Sequence, residues 1–187
     1  MNIKRKALRK VRRDGLALQF VPLELRHDRD VVLEAVKQNG LALKYASKKL
    51  QCDSKIVYEA IKQNGIALQY AGKKQKSTKY IVMEAVKNCG EALQYANKKF
   101  SNDLKIVYEA VKENGVALEH AGKEARNNKK IVLESVRKSG WTLCYAGTAL
   151  RNDKVVVIEA IKKFSLAINF ASEELKQNKE LLELAGF

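Results

Sequence analysis

Asp53-Ser54-Lys55-Ile56-Val57-Tyr58-Glu59-Ala60-Ile61-Lys62-Gln63-Asn64-Gly65-Ile66-Ala67-Leu68-Gln69-Tyr70-Ala71 decides the fold, because the chain writes it six times. Asp28 to Ala46, Thr78 to Ala96, Asp103 to Ala121, Asn128 to Ala146 and Asp153 to Ala171 are the other copies, set 25 residues apart. Gly15, Gly40, Gly65, Gly90, Gly115 and Gly140 mark the period, and Ser165 takes the seventh place. A short fixed period is the signature of a solenoid, in which a unit too small to bury its own apolar face stacks on its neighbours.

Each unit reads as two short helices. Asp28, Asp53, Asp103 and Asp153, with Thr78, Asn128 and Asn178 in the same register, precede the apolar run and are suited to cap a helix N-terminus. The first helix of the first full copy is expected over about 29–38, and Asn39-Gly40 is expected to end it with glycine in the left-handed conformation. A second helix is expected over about 41–50. On a 3.6-residue wheel Val31, Val32, Leu33, Ala35 and Val36 cover about 200°, as do Leu41, Ala42, Leu43, Tyr45, Ala46 and Leu50 in the second. Coverage that wide suits a helix with neighbours on both flanks. The fold class expected is all-α: an α-solenoid of stacked two-helix repeats with a 25-residue period, a TPR/HEAT-like superhelix forming a single domain over 1–187. Its units fall at about 3–27 (a degenerate N-terminal cap), 28–52, 53–77, 78–102, 103–127, 128–152, 153–177 and 178–187 (a partial C-terminal helix). Lys6 and Lys10 stand where later units place Val31 and Ala35, which fits an exposed end face. Leu184 and Phe187 at the other end suit either a cap on the stack or the contact of an end-to-end homodimer.

The pattern D-x-x-[IV]-V-x-E-A-[IV]-K-x-N-G-x-A-L-x-[YH]-A, strong over 28–171 and weak at both ends, resembles the repeat of a family catalogued as domain of unknown function 4116. The resemblance implies a helical repeat found in proteins of intracellular bacteria, secreted effectors among them, and of protists and large DNA viruses. It carries over no activity, cofactor or catalytic residue. Ser165 and the loss of basic excess near the C-terminus depart from the pattern.

Charge is the compositional outlier. The 187 residues hold 36 Lys and Arg against 21 Asp and Glu, a net +15. Residues 1–26 contribute eight basic side chains against two acids, 27–150 contribute 22 against 13, and 151–187 balance at six each. Such a field favours anionic partners without choosing among acidic protein, nucleic acid and lipid surface. No apolar run approaches a transmembrane span, so membrane insertion is not expected, and no apolar stretch follows the basic start to make a secretory signal. Cys52, Cys89 and Cys144 follow neither the repeat nor a CxxC spacing. Reduced thiols are expected, hence a cytoplasmic protein, or one delivered to a host cytosol if it is an effector.

Two charged ladders keep register. Arg12, Lys37, Lys62, Lys87, Lys112, Arg137 and Lys162 form one, and Glu34, Glu59, Glu84, Glu109, Glu134 and Glu159 the other. Within a helix they stand i,i+3, worth about 0.3 kcal/mol per pair, and adjacent units are expected to hold them about 9–10 Å apart. One reading is that the pairs neutralise each other on a solvated face. The other is that the cations, with Arg5, Arg9, Arg13 and the lysine pairs at 48–49, 73–74 and 98–99, track a phosphate backbone while Tyr58 and Tyr108 offer stacking surface. Against the second, the Glu ladder would repel phosphate. Tyr58 and Tyr108 share their place with Leu33, Met83, Leu133 and Ile158, as half-buried packing residues would. Trp141 shares its place with Glu91, so that place reaches solvent and Trp141 is a candidate anchor for a partner.

His27 and His120 lie far apart, with no HExxH motif and no glycine-rich phosphate loop. No catalytic residue, metal or cofactor is expected, and the chain is not read as an enzyme. The leading expectation is a noncatalytic protein–protein interaction scaffold with an acidic partner, and the alternative is RNA or DNA binding.

Overall fold

The computed structural model describes residues 3–187, which hold helices and no strand. They fall in two compact units, one ending at Asn97 and one spanning Lys98–Phe187. Each is a stack of 25-residue repeats, so the chain is an all-α repeat solenoid. No helix among these residues is long and apolar enough to cross a membrane.

Every full repeat opens with a ten-residue α-helix: Arg29–Gln38, Ser54–Gln63, Lys79–Asn88, Leu104–Glu113, Lys129–Lys138 and Lys154–Lys163. Six of the seven expected caps are made. Asp53 Oδ1, for example, accepts the Lys55 and Ile56 amides at 2.9 and 3.0 Å. Burial pushes the Asp53 carboxyl up, but those amides and the Arg29 guanidinium prevail and hold it below the usual range. Thr78 is the exception, its hydroxyl donating back to Lys74 O at 2.8 Å. The four positions that start with Ile56, Val57, Ala60 and Ile61 are buried in each of the six helices. Ser135 replaces the usual alanine without leaving an orphan group. Its hydroxyl bonds Gly115 O at 2.8 Å and Thr142 Oγ1 at 2.7 Å, both residues being fully buried.

The second helix differs from the continuous stretch expected at 41–50. It is a six-residue 3₁₀ helix, Gly40–Tyr45, followed by a break at Ala46 and a single α-turn, Lys48–Gln51. The reason lies in the spacing of its buried residues. Gly40, Leu43 and Ala46 are three apart, as are Gly65, Leu68 and Ala71. A helix of 3.0 residues per turn aligns them in one row, whereas 3.6 would splay them. Asn39 Oδ1 caps this segment by accepting the Leu41 amide at 3.0 Å, and Asn64 and Asn114 repeat the bond.

Nor do the periodic glycines adopt a left-handed backbone. Gly186 alone among the described residues has positive φ, at 85°. What the column supplies is close approach. A β-carbon on Gly40 would stand 2.1 Å from Ala60 O, and one on Gly65 would stand 2.3 Å from Ala85 O. Gly15, Gly40, Gly65, Gly115 and Gly140 are each pressed against a carbonyl of the next repeat's long helix, where no side chain fits. Ser165 is exposed, so a side chain is tolerated there.

A second contact locks the repeats edge to edge. Ser47 N–H donates to Arg26 O at 3.0 Å, Gly72 to Gln51 O and Asn97 to Lys76 O at 2.9 Å each. In the second unit Gly122 donates to Ser101 O, Gly147 to Arg126 O and Ser172 to Arg151 O. At the N-terminal end Ile3–Arg13 buries only Ala7 and Val11. Lys6 and Lys10 are exposed there, as an end face requires.

Candidate binding surfaces

The predicted cationic ladder lies on the last turns of the long helices. Arg12, Lys37, Lys62, Lys87, Lys112 and Arg137 are all exposed. Two of them pair with the next repeat, contrary to the 9–10 Å separation expected from sequence. Arg12 Nε lies 2.7 Å from Glu34 Oε2, and Arg137 Nε lies 2.8 Å from Glu159 Oε2. A long side chain inclined along the stack crosses a gap that the helix axes do not. Lys37 and Lys162 add i,i+3 contacts to Glu34 and Glu159 at 3.9 and 3.1 Å. Arg137 and then Lys162 draw the Glu159 carboxyl below its ordinary range. Exposed pairs of this kind contribute about 0.2–1 kcal/mol each and fix register more than stability. Among the described residues Lys62, Lys87 and Lys112 have no carboxylate partner. A second set of cross-repeat pairs joins first turns to caps, as in Lys4 to Asp28 at 2.7 Å and Arg29 to Asp53 at 3.3 Å.

Tyr58 and Tyr108 are half-buried on the same long helices. The Tyr58 ring lies 6.2 Å from the Tyr80 ring, and Lys130 Nζ sits 4.7 Å from the Tyr108 centroid. Both tyrosines therefore pack on the first turn of the following repeat. Trp141 is 37% exposed and meets the Tyr145 ring edge-on at 5.6 Å. The β-carbon position of neighbouring Gly140 is 2.9 Å from Phe164 Cβ. Phe164 and Leu166 are 37% and 46% exposed, and Leu166 holds the Trp141 place in the next repeat, so by register the three make a short apolar row.

The last turn of four repeats holds a polar device that sequence reasoning missed. Arg26 donates to Gln19 O and Val21 O, Gln51 to Leu43 O and Lys44 O, and Lys76 to Gln69 O at 2.7 Å. Arg126 does the same to Glu119 O and Ala121 O. These donors satisfy the terminal carbonyls of the 3₁₀ segment, which its break leaves open. The signal was the long polar side chain recurring every 25 residues at 26, 51, 76, 126, 151 and 176. Beside this lock a cleft opens between successive repeats, about 520 Å³ at Lys44–Lys76 and about 460 Å³ at Ala121–Arg151.

Burial, then Glu119, pushes the Cys144 thiol up despite Arg126 and Arg151. That keeps it protonated at neutral pH, the opposite of what an activated nucleophile needs. No group of three metal-ligating side chains occurs among the described residues.

The family described as Domain of unknown function (DUF4116) matches the chain at residues 6–51, 28–76, 78–124, 128–176 and 156–185. Four of the five segments span nearly two 25-residue repeats each. The chain belongs to the DUF4116 family. The DUF4116 segment thus corresponds to a pair of stacked repeats, the smallest piece that contains a glycine column contact and an edge hydrogen bond together. No curated protein and no solved structure matches the chain.

Proposed function

We propose that this DUF4116 chain is a noncatalytic protein-binding scaffold. The observation that carries the reading is the apolar row of Trp141, Phe164 and Leu166, three large side chains 37%, 37% and 46% exposed at the 3₁₀ segments of two successive repeats. An exposed aromatic flanked by aliphatic side chains is the usual composition of an interface anchor. Stacked repeats hold such a row rigid, so little conformational freedom is lost on binding. Arg12 and Lys37 in the first unit, and Arg137 in the second, are tied to glutamates and keep their own repeats in register. Lys62 and Lys87 with Tyr58 in the first unit, and Lys112 with Tyr108 in the second, favour an acidic partner. Three free cysteines fit work in a reducing compartment, as an accessory module of the cytoplasm or as an effector in a host cytosol.

The experiment is capture from lysate with nuclease-treated and untreated arms, comparing the wild type with a Trp141→Ala/Leu166→Ala variant. Capture is expected to survive nuclease, and affinity for the captured protein to fall roughly thirtyfold, about 2 kcal/mol, in the variant. Capture abolished by nuclease, or undiminished in a variant of unchanged helicity, would overturn the reading.

A further inference from the structure

We propose that the clefts between successive repeats bind single-stranded nucleic acid, each taking phosphate on its cations and a base against its aromatic ring. Neither cleft is lined by Trp141, Phe164 or Leu166, the residues that carry the protein-binding reading.

The same repeat positions build the cleft in both units. In the first, Lys44, Lys48, Lys73 and Lys76 surround Tyr70. In the second, Lys123, Arg126 and Arg151 surround Tyr145. No Asp or Glu lines either one. This differs from the outer ladder, where glutamate answers the cation within 3 Å at Arg12 and Arg137. Some of the cleft's charge is spoken for, since Lys76 Nζ holds Gln69 O at 2.7 Å and Lys48 Nζ reaches Gln51 Oε1 at 3.1 Å. Lys44 and Lys73 are exposed and make no ion pair, and Arg151 Nε is buried without a partner. Those are the groups left to meet an anion.

The ring selects the anion. Position 70 is aromatic in every repeat: Phe20, Tyr45, Tyr70, Tyr95, His120, Tyr145 and Phe170. The later six are half-buried, so each ring keeps a surface at the cleft edge. Tyr70 has no ring or cation stacked on it, unlike Tyr145, which Arg126 and Trp141 approach at 5.9 and 5.6 Å. An acidic peptide would use the lysines and leave the ring idle. An unpaired nucleotide uses both, phosphate to ammonium and base to phenol. A duplex hides its base faces, so the single strand is the ligand that fits. Glu119 also acts on the Tyr145 hydroxyl, which makes the first-unit cleft the stronger of the two.

The test is fluorescence anisotropy of a labelled single-stranded oligouridylate with the full chain between about 50 and 200 mM salt. Competition uses an unlabelled duplex of the same length and a polyglutamate of matched charge. Binding is expected to weaken steeply with salt and to resist both competitors. Tyr70→Ala should lose about tenfold in affinity, the scale of one stacked base, while Tyr70→Phe retains it. Lys73→Glu, at an exposed place, should weaken binding and lower the salt slope by about one phosphate with an unchanged melting temperature. No binding, displacement by polyglutamate as effective as by oligouridylate, or equal affinities for Tyr70→Ala and Tyr70→Phe would overturn the proposal. Failure here leaves protein capture through Trp141 untouched, and the reverse also holds.

Discussion

Gly40→Ala is expected to destabilise the first unit by about 3 kcal/mol, the upper part of the range for overpacking a well-filled interior. The added methyl would sit 2.1 Å from Ala60 O and 3.1 Å from Ala60 C and Asn64 N. All three are backbone atoms of the next long helix, so no side chain can swing aside. Relief requires the two repeats to separate, which uncovers Leu43 and Ala46 and strains the Gly72-to-Gln51 edge hydrogen bond. For a chain of this size the loss corresponds to about 6–12 °C in melting temperature. Chemical unfolding followed by circular dichroism measures it. Ser165→Ala is the control, expected to stay within about 0.5 kcal/mol because that place is exposed. A Gly40→Ala protein as stable as the control would mean that the column serves some other need.

Leu68→Ala should cost about as much for the opposite reason, a void in place of a clash. Leu68 is fully buried between Gly65 and Ala71 on the row that the 3₁₀ helix turns inward. Truncating a buried leucine removes its transfer free energy and leaves a cavity, about 2–5 kcal/mol together. The cavity cannot collapse easily, because the glycine contact already holds the repeats at their closest distance. Leu166→Ala, two places earlier in its own repeat and 46% exposed, should change stability by less than about 1 kcal/mol. The ratio of these losses reads out the facing of the 3₁₀ segment directly. Similar losses at both places would mean that the segment turns a different side inward.

The two substitutions also mark where the chain was legible. The 25-residue period, the Asp28-type caps and the buried Val31-Val32-Ala35-Val36 pattern led to the stack and its long helices, because each is a local feature read within ten residues. The second element escaped because six residues carry too few turns to separate a period of 3.0 from 3.6. Gly40, Leu43 and Ala46 held the answer in their spacing. The role of the glycines escaped for a different reason. Asn-Gly is a local turn signal, whereas the constraint on Gly40 comes from Ala60 in the next repeat. The ladder partners of Arg12 and Arg137 were similarly hidden, since i,i+3 arithmetic cannot show a side chain reaching the next repeat. Of the candidate surface, Trp141 was legible from the tolerance of Glu91 at its position. That Phe164 and Leu166 also stay exposed was not, because their burial depends on packing against other repeats.

Both proposals depend on one physical arrangement. Repeats pressed together at the glycines and tied at the edge place identical clefts and edges at regular intervals, and small changes of side chain then turn one cleft cationic or one edge apolar. A nuclear Overhauser spectrum of the labelled protein addresses that arrangement directly. Cross-peaks between the Gly65 α-protons and the Cys89 β-protons are expected, since those groups lie in contact across adjacent repeats. Gly65 α-protons that show cross-peaks only to residues near them in sequence would contradict the stacking from which everything else follows.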